Sequence, residues 1–411
     1  MQAVPPRQPL KPLDDALAEL LSHATPLRKA ETVSTFDADG RVLAQDVVAA
    51  LDVPAHDNSS MDGYALRMAD WVNAATVLQV NQRIAAGSNG TALGPKSAAR
   101  IFTGAPIPDG ADAVVMQEDC LSTEPGSVCI AVQPKTGQWI RRRGEDVTAG
   151  RIVLRKGELL APESIGLAAS IGYEKLLVAA PVRVALFSTG DELVMPGDVA
   201  PKDMKPGAIY NSNRFFLRAL LMRLGCSVTD MGIVPDKLEA TKASLLSASR
   251  AHDLVLTSGG VSVGEEDHIK PAVRALGQLN LWQIAIKPGK PFAYGKIDAA
   301  HFIGLPGNPV SSFVTFLLLV RPFIRTLQGT IQTAPDSIAA CAHFDWPKAD
   351  KRREFLRVRR NSAGGLDLFD NQSSGVLTSA VWADGLVDNP AGKTIAHGDL
   401  VQFIAFSSLM S

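Results

Sequence analysis

Cysteine is scarce. Four residues, Cys120, Cys129, Cys226 and Cys341, stand in 411, with no C-x-x-C pair and no histidine beside them at zinc-ligand spacing. A disulfide framework and a Cys/His zinc site are excluded, and reduced thiols in a cytoplasmic protein are the expectation. An excess of one charge is also missing: 41 Lys and Arg against 42 Asp and Glu leave a net charge of -1. No global basic field draws the chain to nucleic acid or to anionic lipid, so any anion site is local. Long apolar runs are absent as well; the longest, Phe313 to Val320, stops at Arg321-Pro322, short of the ~20 residues that span a bilayer. Met1 to Lys11 holds three prolines and no apolar core of a signal peptide. Nucleotide fingerprints fail too, with no G-x-G-x-x-G and only a defective P-loop, Gly392-Lys393-Thr394, which has Val387 where its first glycine should stand.

What is present is a globular composition, 46% hydrophobic and 20% charged, in a chain long enough for two to four domains. Pro12, Asp14 and Asp15 open a helix with Leu13, Leu17, Leu20 and Leu21 on one face. From about Val53 to Arg143 short β-type runs alternate with Gly/Pro turns, as in a β-rich insert. From Pro181 strands alternate with helices: Val182–Phe187, a helix through Phe216 to Leu224, Val228–Val234, a helix at Leu238–Leu246, Leu254–Thr257, Ala300–Leu305 and a helix at Val310–Leu319. Such β-α-β crossovers predict a parallel, right-handedly wound sheet. Past Gly329 the pattern is β again, a small barrel or sandwich.

Ligands of an open parallel sheet bind beyond the carboxyl ends of its strands. The segments there are Ser188-Thr-Gly-Asp-Glu192, Pro235-Asp236, Thr257-Ser-Gly-Gly-Val-Ser-Val-Gly264 running into Glu265-Glu-Asp267, and Pro306-Gly-Asn-Pro309. Glycines beside hydroxyls let backbone N–H groups converge on a phosphate-like oxyanion. Any one such loop reads equally well as a tight turn with a helix cap; four on one edge favour a site. Asp191, Glu192, Asp236 and Asp267 add carboxylates that Mg²⁺ could bridge to phosphate oxygens, although Asp236 and Asp267 also suit helix caps. Lys287-Pro-Gly-Lys290 supplies two cations on a stiff turn. In the insert, Asp57-Asn-Ser-Ser-Met-Asp-Gly-Tyr64 and Arg141-Arg-Arg-Gly-Glu-Asp146 concentrate polar groups, the arginine run reading on charge alone as a solvated face.

Taken in order, these segments, with Phe102-Thr-Gly-Ala-Pro-Ile-Pro108, Lys287-Pro-Gly-Lys-Pro-Phe292 and Gly304-Leu-Pro-Gly-Asn-Pro-Val310, resemble the MoeA family of molybdopterin molybdenumtransferases, which includes the E domain of gephyrin. The resemblance implies an α/β multidomain subunit: an N-terminal helical and linking segment (1–52, completed by 147–179), a β-rich insert (53–146), a MogA-like parallel-sheet α/β domain (180–329) and a C-terminal β-barrel (330–411). It implies a homodimer whose cleft combines the α/β domain of one subunit with the insert of the other. The implied reaction is Mg²⁺-dependent insertion of molybdate into adenylyl-molybdopterin with release of AMP. Carried over by motif, Asp62, Asp146, Glu192 and Asp267 are catalytic; Thr103, Arg141, Ser188, Asp236, Ser258, Gly259, Gly260, Lys287, Lys290, Pro306, Pro309 and Ser374 bind substrate; Asp191, Glu192 and Asp267 hold the metal. Transient contact with the adenylyltransferase and with molybdoenzyme maturation proteins is also implied. Two departures stand out: His56 replaces a frequent aromatic residue, and Gln283 a frequent lysine. The alternatives are a molybdopterin adenylyltransferase, against which the insert and barrel argue, and a gephyrin-like scaffold without catalysis.

Overall fold

The computed structural model describes residues 9–122, 124–234, 237–260 and 268–410. Its largest unit is a six-stranded sheet in the order Ser227–Val234, Arg183–Thr189, Leu254–Ser258, Ala300–Leu305, Pro291–Ile297, Gly277–Gln283. The first four strands are parallel, as the β-α alternation predicts. Pro291–Ile297 pairs antiparallel with Ala300–Leu305, and Gly277–Gln283 antiparallel with Pro291–Ile297, extending the sheet beyond those four. Leu254–Ser258 and Ala300–Leu305 are buried along their whole length, the mark of a sheet covered on both faces. Alternate residues divide between two cores. Val184, Leu186, Leu254, Leu256, Ile303 and Leu305 pack on one side with the helix Asn213–Arg223. Ala185, Phe187, Val255 and Phe302 pack on the other with the helices Leu238–Ala251 and Ile269–Leu276.

The helix expected to stop before Arg321-Pro322 instead runs from Pro309 to Gln328 and ends at Gly329, which takes φ of 81°. A wide π-helical turn over Phe316–Val320 precedes Pro322, whose missing N–H would otherwise break the ladder. By length and composition this helix could cross a membrane, but 94% of its apolar window is buried in the fold. It is the central helix of the α/β core, and it carries two arginines inward, Arg321 and Arg325.

The N-terminal helix, Leu13–Ser22, packs Leu13, Ala16 and Leu20 into this same core rather than against the linking segments. Those segments form their own small core: Ala30–Ser34 pairs with Lys175–Ala179, and Val47–Val48 with Ile152–Leu154, around Leu43, Leu160 and Val178. Between them sits a six-stranded insert sheet, ordered Ala113–Met116, Gly63–Leu66, Ser97–Ile101, Thr76–Ile84, Ser127–Ile130, Cys120–Ser122. The C-terminal part is a closed barrel: Arg353–Arg360, Gly365–Leu368, Ile338–Ala342, Leu400–Ala405 and Gly385–Asn389, which pairs back onto Arg353–Arg360. A short strand of the α/β domain, Ile286–Lys287, lies parallel to Arg353-Glu354 and ties barrel to sheet. All four cysteines are free thiols.

Candidate active site

The chain leaves Arg183–Thr189 toward Ser227–Val234 on one side and returns to Leu254–Ser258 on the other, so the strand order reverses there. Reversal opens a crevice at the carboxyl edge of the strands. A cleft of about 770 Å³ occupies that place, lined by Gly190, Glu192, Asn213, Gly259, Pro306 and Asn308 among others. Its walls include three of the post-strand loops singled out by sequence, those after Arg183–Thr189, Leu254–Ser258 and Ala300–Leu305. Gly259 takes φ of 93°, and a Cβ there would stand 2.8 Å from the Thr189 carbonyl oxygen, so only glycine lets these two loops close on each other. The Asn213 amide spans the gap on another wall, donating 2.8 Å to Ser258 Oγ and 2.7 Å to the Gly307 carbonyl. Two helices, Asn213–Arg223 and the long helix from Pro309, present their first residues to the cleft, where the positive ends of their dipoles favour an anion.

Several buried polar atoms around this edge have no partner among the described residues: Ser188 Oγ, Thr189 Oγ1, Thr257 Oγ1 and Asn211 Nδ2. Orphaned donors of this kind are costly in a folded protein unless a ligand or water meets them. The barrel closes one side of the cleft. Val310 N donates to the Ser374 carbonyl at 3.0 Å, Asn308 Nδ2 reaches Ser374 Oγ at 3.2 Å, and Gly375 lines the wall. That loop is held from behind by Arg357, one of the most deeply buried side chains, which donates to the carbonyls of Phe355 and Ser373 and to Ser379 Oγ. Burial pulls its guanidinium down to about 10. Sequence reasoning missed Arg357, because an arginine in Phe355-Leu-Arg-Val-Arg359 looks like the solvent face of an edge strand.

The predicted residues thus fall into three groups. Glu192, Ser258, Gly259, Gly260, Pro306 and Pro309 line the cleft, Ser374 docks on it, and Ser188 lies buried beneath it. Asp191 is exposed next to Glu192. Asp236 and Asp267 lie outside the described residues. Among those described, no three His, Cys, Asp or Glu side chains are gathered to share a metal.

A second group sits on the insert. Asp62 accepts from Thr103 N at 2.8 Å and Thr103 Oγ1 at 2.9 Å, bonds that hold its exposed carboxyl below the usual range. Arg141 lies on a strand paired to Asn58-Ser59, and Ser59 is hydrogen-bonded to Gly104 and Ala105 beside Thr103, so the three residues share one end of the insert sheet. Asp146 is exposed beyond it. The arginine run divides: Arg142 pairs with Asp57 at 2.6 Å and Arg143 with Asp52 at 2.5 Å, while Arg141 forms no ion pair among the described residues. Two of the three arginines therefore hold the loop and one is left for other work. None of the contacts of Asp62, Thr103 or Arg141 among the described residues reaches the α/β cleft.

Lys287 and Lys290 form the third group. Lys290 is exposed. Lys287 instead bonds Glu354 of the barrel at 3.0 Å and lies 3.5 Å from Asp350, over the Trp346 ring. Its charge is already matched at the joint between domains.

Residues 11–172 match the MoeA N-terminal region (domain I and II), 185–326 a probable molybdopterin binding domain, and 339–406 the MoeA C-terminal region (domain IV). The chain is 43% identical to a molybdopterin molybdenumtransferase of Haemophilus influenzae over 84% of its length and 85% of that protein's. It is 35% identical to molybdopterin molybdenumtransferase 2 of Mycobacterium tuberculosis, over 91% of this chain and 93% of the other. Among solved structures, a molybdopterin biosynthesis MoeA protein from Pyrococcus horikoshii superposes with a TM-score of 0.84 at 28% identity, covering 97% of this chain and 100% of that one. With all three regions matched in order and this likeness extending over nearly the whole length, the chain belongs to the MoeA family.

Proposed function

We propose that this protein is a molybdopterin molybdenumtransferase of molybdenum cofactor biosynthesis, inserting molybdate into adenylyl-molybdopterin and releasing AMP. The observation that carries the reading is the cleft at the reversal of strand order, lined by Gly259, the helix starts at Asn213 and Pro309, and Thr189 and Asn211 with their orphaned polar groups, while those of Ser188 and Thr257 lie buried at the same strand ends. A pyrophosphate link and a tetrahedral oxyanion are ligands that such fixed dipoles serve. Gly259 and Gly260 let backbone approach the phosphates closely, Asn213 keeps the two loops at a set spacing, and Ser374 closes the barrel side.

Mg²⁺ fits the donor chemistry at the mouth. Magnesium keeps several waters and binds through one or two carboxylates together with substrate phosphates, so a closed protein cage is not required. Glu192 and Asp191 offer hard oxygen donors there, and Asp267 is the third candidate from the sequence motif. When bound, the ion would neutralise charge on the phosphate oxygens as AMP leaves.

The reading includes a cytoplasmic location and a homodimer, the latter because Asp62, Thr103 and Arg141 form a second polar site on the insert with no contact to the cleft among the described residues. A partner's insert would complete it. Sedimentation that finds a fully active monomer would overturn the dimer. The activity itself is tested by AMP release from adenylyl-molybdopterin, run with molybdate and tungstate in parallel. Release dependent on oxyanion and abolished by EDTA is expected. Transfer of adenylate from ATP to molybdopterin would favour the adenylyltransferase reading, and no turnover of either kind the scaffold.

A further inference from the structure

At the other end of the central helix, about 18 Å along its axis from Pro309 to Arg321 at the usual helical rise, a second cavity of about 620 Å³ opens. It lies where the linking segment, the helix, the connection into the barrel and Ser408 near the end of the chain meet. Its polar lining includes Arg155, Glu158, Arg321, Arg325, Thr330 and Asp336. Arg321 is 7% exposed and Arg325 3%. Arg321 donates to the carbonyls of Thr333 and Ser408, both at 3.0 Å, but forms no ion pair among the described residues, and its Nε is buried without a partner. Thr330 Oγ1, on the same wall, is buried and unpartnered as well. Arg325 donates to Gln328 Oε1 at 3.1 Å.

A buried guanidinium is costly unless an anion meets it. Burial lowers both arginines, Arg325 to about 10 with the Arg321 charge adding to the effect. Neither acid of the lining, Glu158 or Asp336, forms an ion pair with Arg321 among the described residues. Asp336 acts on Arg321 from a distance without forming an ion pair, and it is exposed, as Arg155 is.

We propose that this cavity binds a dianionic tetrahedral oxyanion of the phosphate class, free or as the end group of a small organic phosphate, with Arg321 and Thr330 as its buried donors and Arg155 at the mouth. The space exceeds what a lone oxyanion fills, which leaves room for an organic part. Because its walls come from the linking segment, the α/β helix and the start of the barrel, an occupant would brace three parts of the chain against one another. It is separate from the active-site cleft and does not depend on the activity assigned there.

The test uses the full chain. Calorimetry with inorganic phosphate and with AMP would be run on wild type, Glu192→Gln, Arg321→Gln and Arg155→Gln, and crystals soaked in selenate would be searched for anomalous density. Expected are phosphate binding retained in Glu192→Gln, weakened at least about tenfold in Arg321→Gln and Arg155→Gln, the scale of one lost charge-assisted contact, and a selenium peak between Arg321 and Thr330. AMP binding with the same dependence on Arg321 identifies an organic phosphate as occupant; binding of phosphate alone identifies the free ion. Should Arg321→Gln fail to fold, Arg155→Gln and the selenium peak decide. Unchanged phosphate affinity in the folded arginine variants, or selenate found only in the active-site cleft, overturns the proposal.

Discussion

Replacing Lys287 by methionine separates two roles that the sequence motif alone leaves merged. As a ligand-binding cation, Lys287 would hold an anionic substrate, and its loss would weaken saturation by molybdate without touching stability. The structure places the ammonium 3.0 Å from Glu354, whose side chain is 1% exposed and whose second oxygen accepts from Trp346 Nε1 at 2.7 Å and Asn389 Nδ2 at 3.4 Å. Removing one partner of a fully buried pair costs about 3–5 kcal/mol. Here the Lys287 side chain is 38% exposed and Glu354 keeps two other donors, so solvent and the remaining bonds reduce the expected cost to about 1–2 kcal/mol. Thermal unfolding of Lys287→Met should move down by a few degrees. Lys287→Met combined with Glu354→Gln should recover much of that loss, because the stranded buried charge is gone. Molybdate saturation in the AMP-release assay should change less than threefold, roughly 0.6 kcal/mol. An unshifted melting curve together with a tenfold or greater rise in half-saturating molybdate would refute this reasoning and return Lys287 to the ligand.

Asp62→Asn should lower molybdate-dependent AMP release by about 10²–10³, the range for a preorganised electrostatic group, with little change in melting, since its carboxylate is exposed and bonded only locally to Thr103; a sharp drop in melting temperature with activity restored on cooling would make it a turn-former instead. Asn213→Ala cuts both bonds that tie Ser258 to Gly307 and should reduce kcat/KM by about 10- to 100-fold through misplaced loops, whereas unchanged kinetics would remove it from the site. His301, buried against Tyr294 and Phe323, has its pKa pulled down to about 4, first by burial and then by Lys296. The unfolded chain therefore binds its proton near the ordinary value of about 6.5 while the folded one does not, so stability falls as pH drops through that window, by about 3 kcal/mol in all. Unfolding curves between pH 7 and 4 should show this slope, and a His301→Gln variant that keeps the full slope would assign it elsewhere.

The strands that run into the cleft were legible because a buried parallel strand is an unbroken apolar run, as Leu254 to Leu256 and Phe302 to Leu305 are. The polar Gly-rich segments after them were legible for the same local reason: a turn that must release a strand and start a helix needs particular residues in particular places. Their order along the chain was enough to identify the family. Properties that depend on partners distant in the chain could not be read this way. Pro291–Ile297 follows Lys287-Pro-Gly-Lys290 and looks like the exit of a turn; only pairing with Gly277–Gln283 and Ala300–Leu305 makes it a strand. On charge alone Arg141, Arg142 and Arg143 read as one solvated face, and Asp52 and Asp57 in the folded insert separate them. Lys287 and Arg357 exchange their apparent roles: the lysine in the motif is matched by a buried glutamate, while the arginine on an ordinary strand holds the loop that carries Ser374. Local periodicity dictates where an element forms, because it follows from backbone geometry and burial of one face. Which charges remain available for chemistry was decided only by tertiary packing, since a side chain's partner is set by what the fold brings beside it.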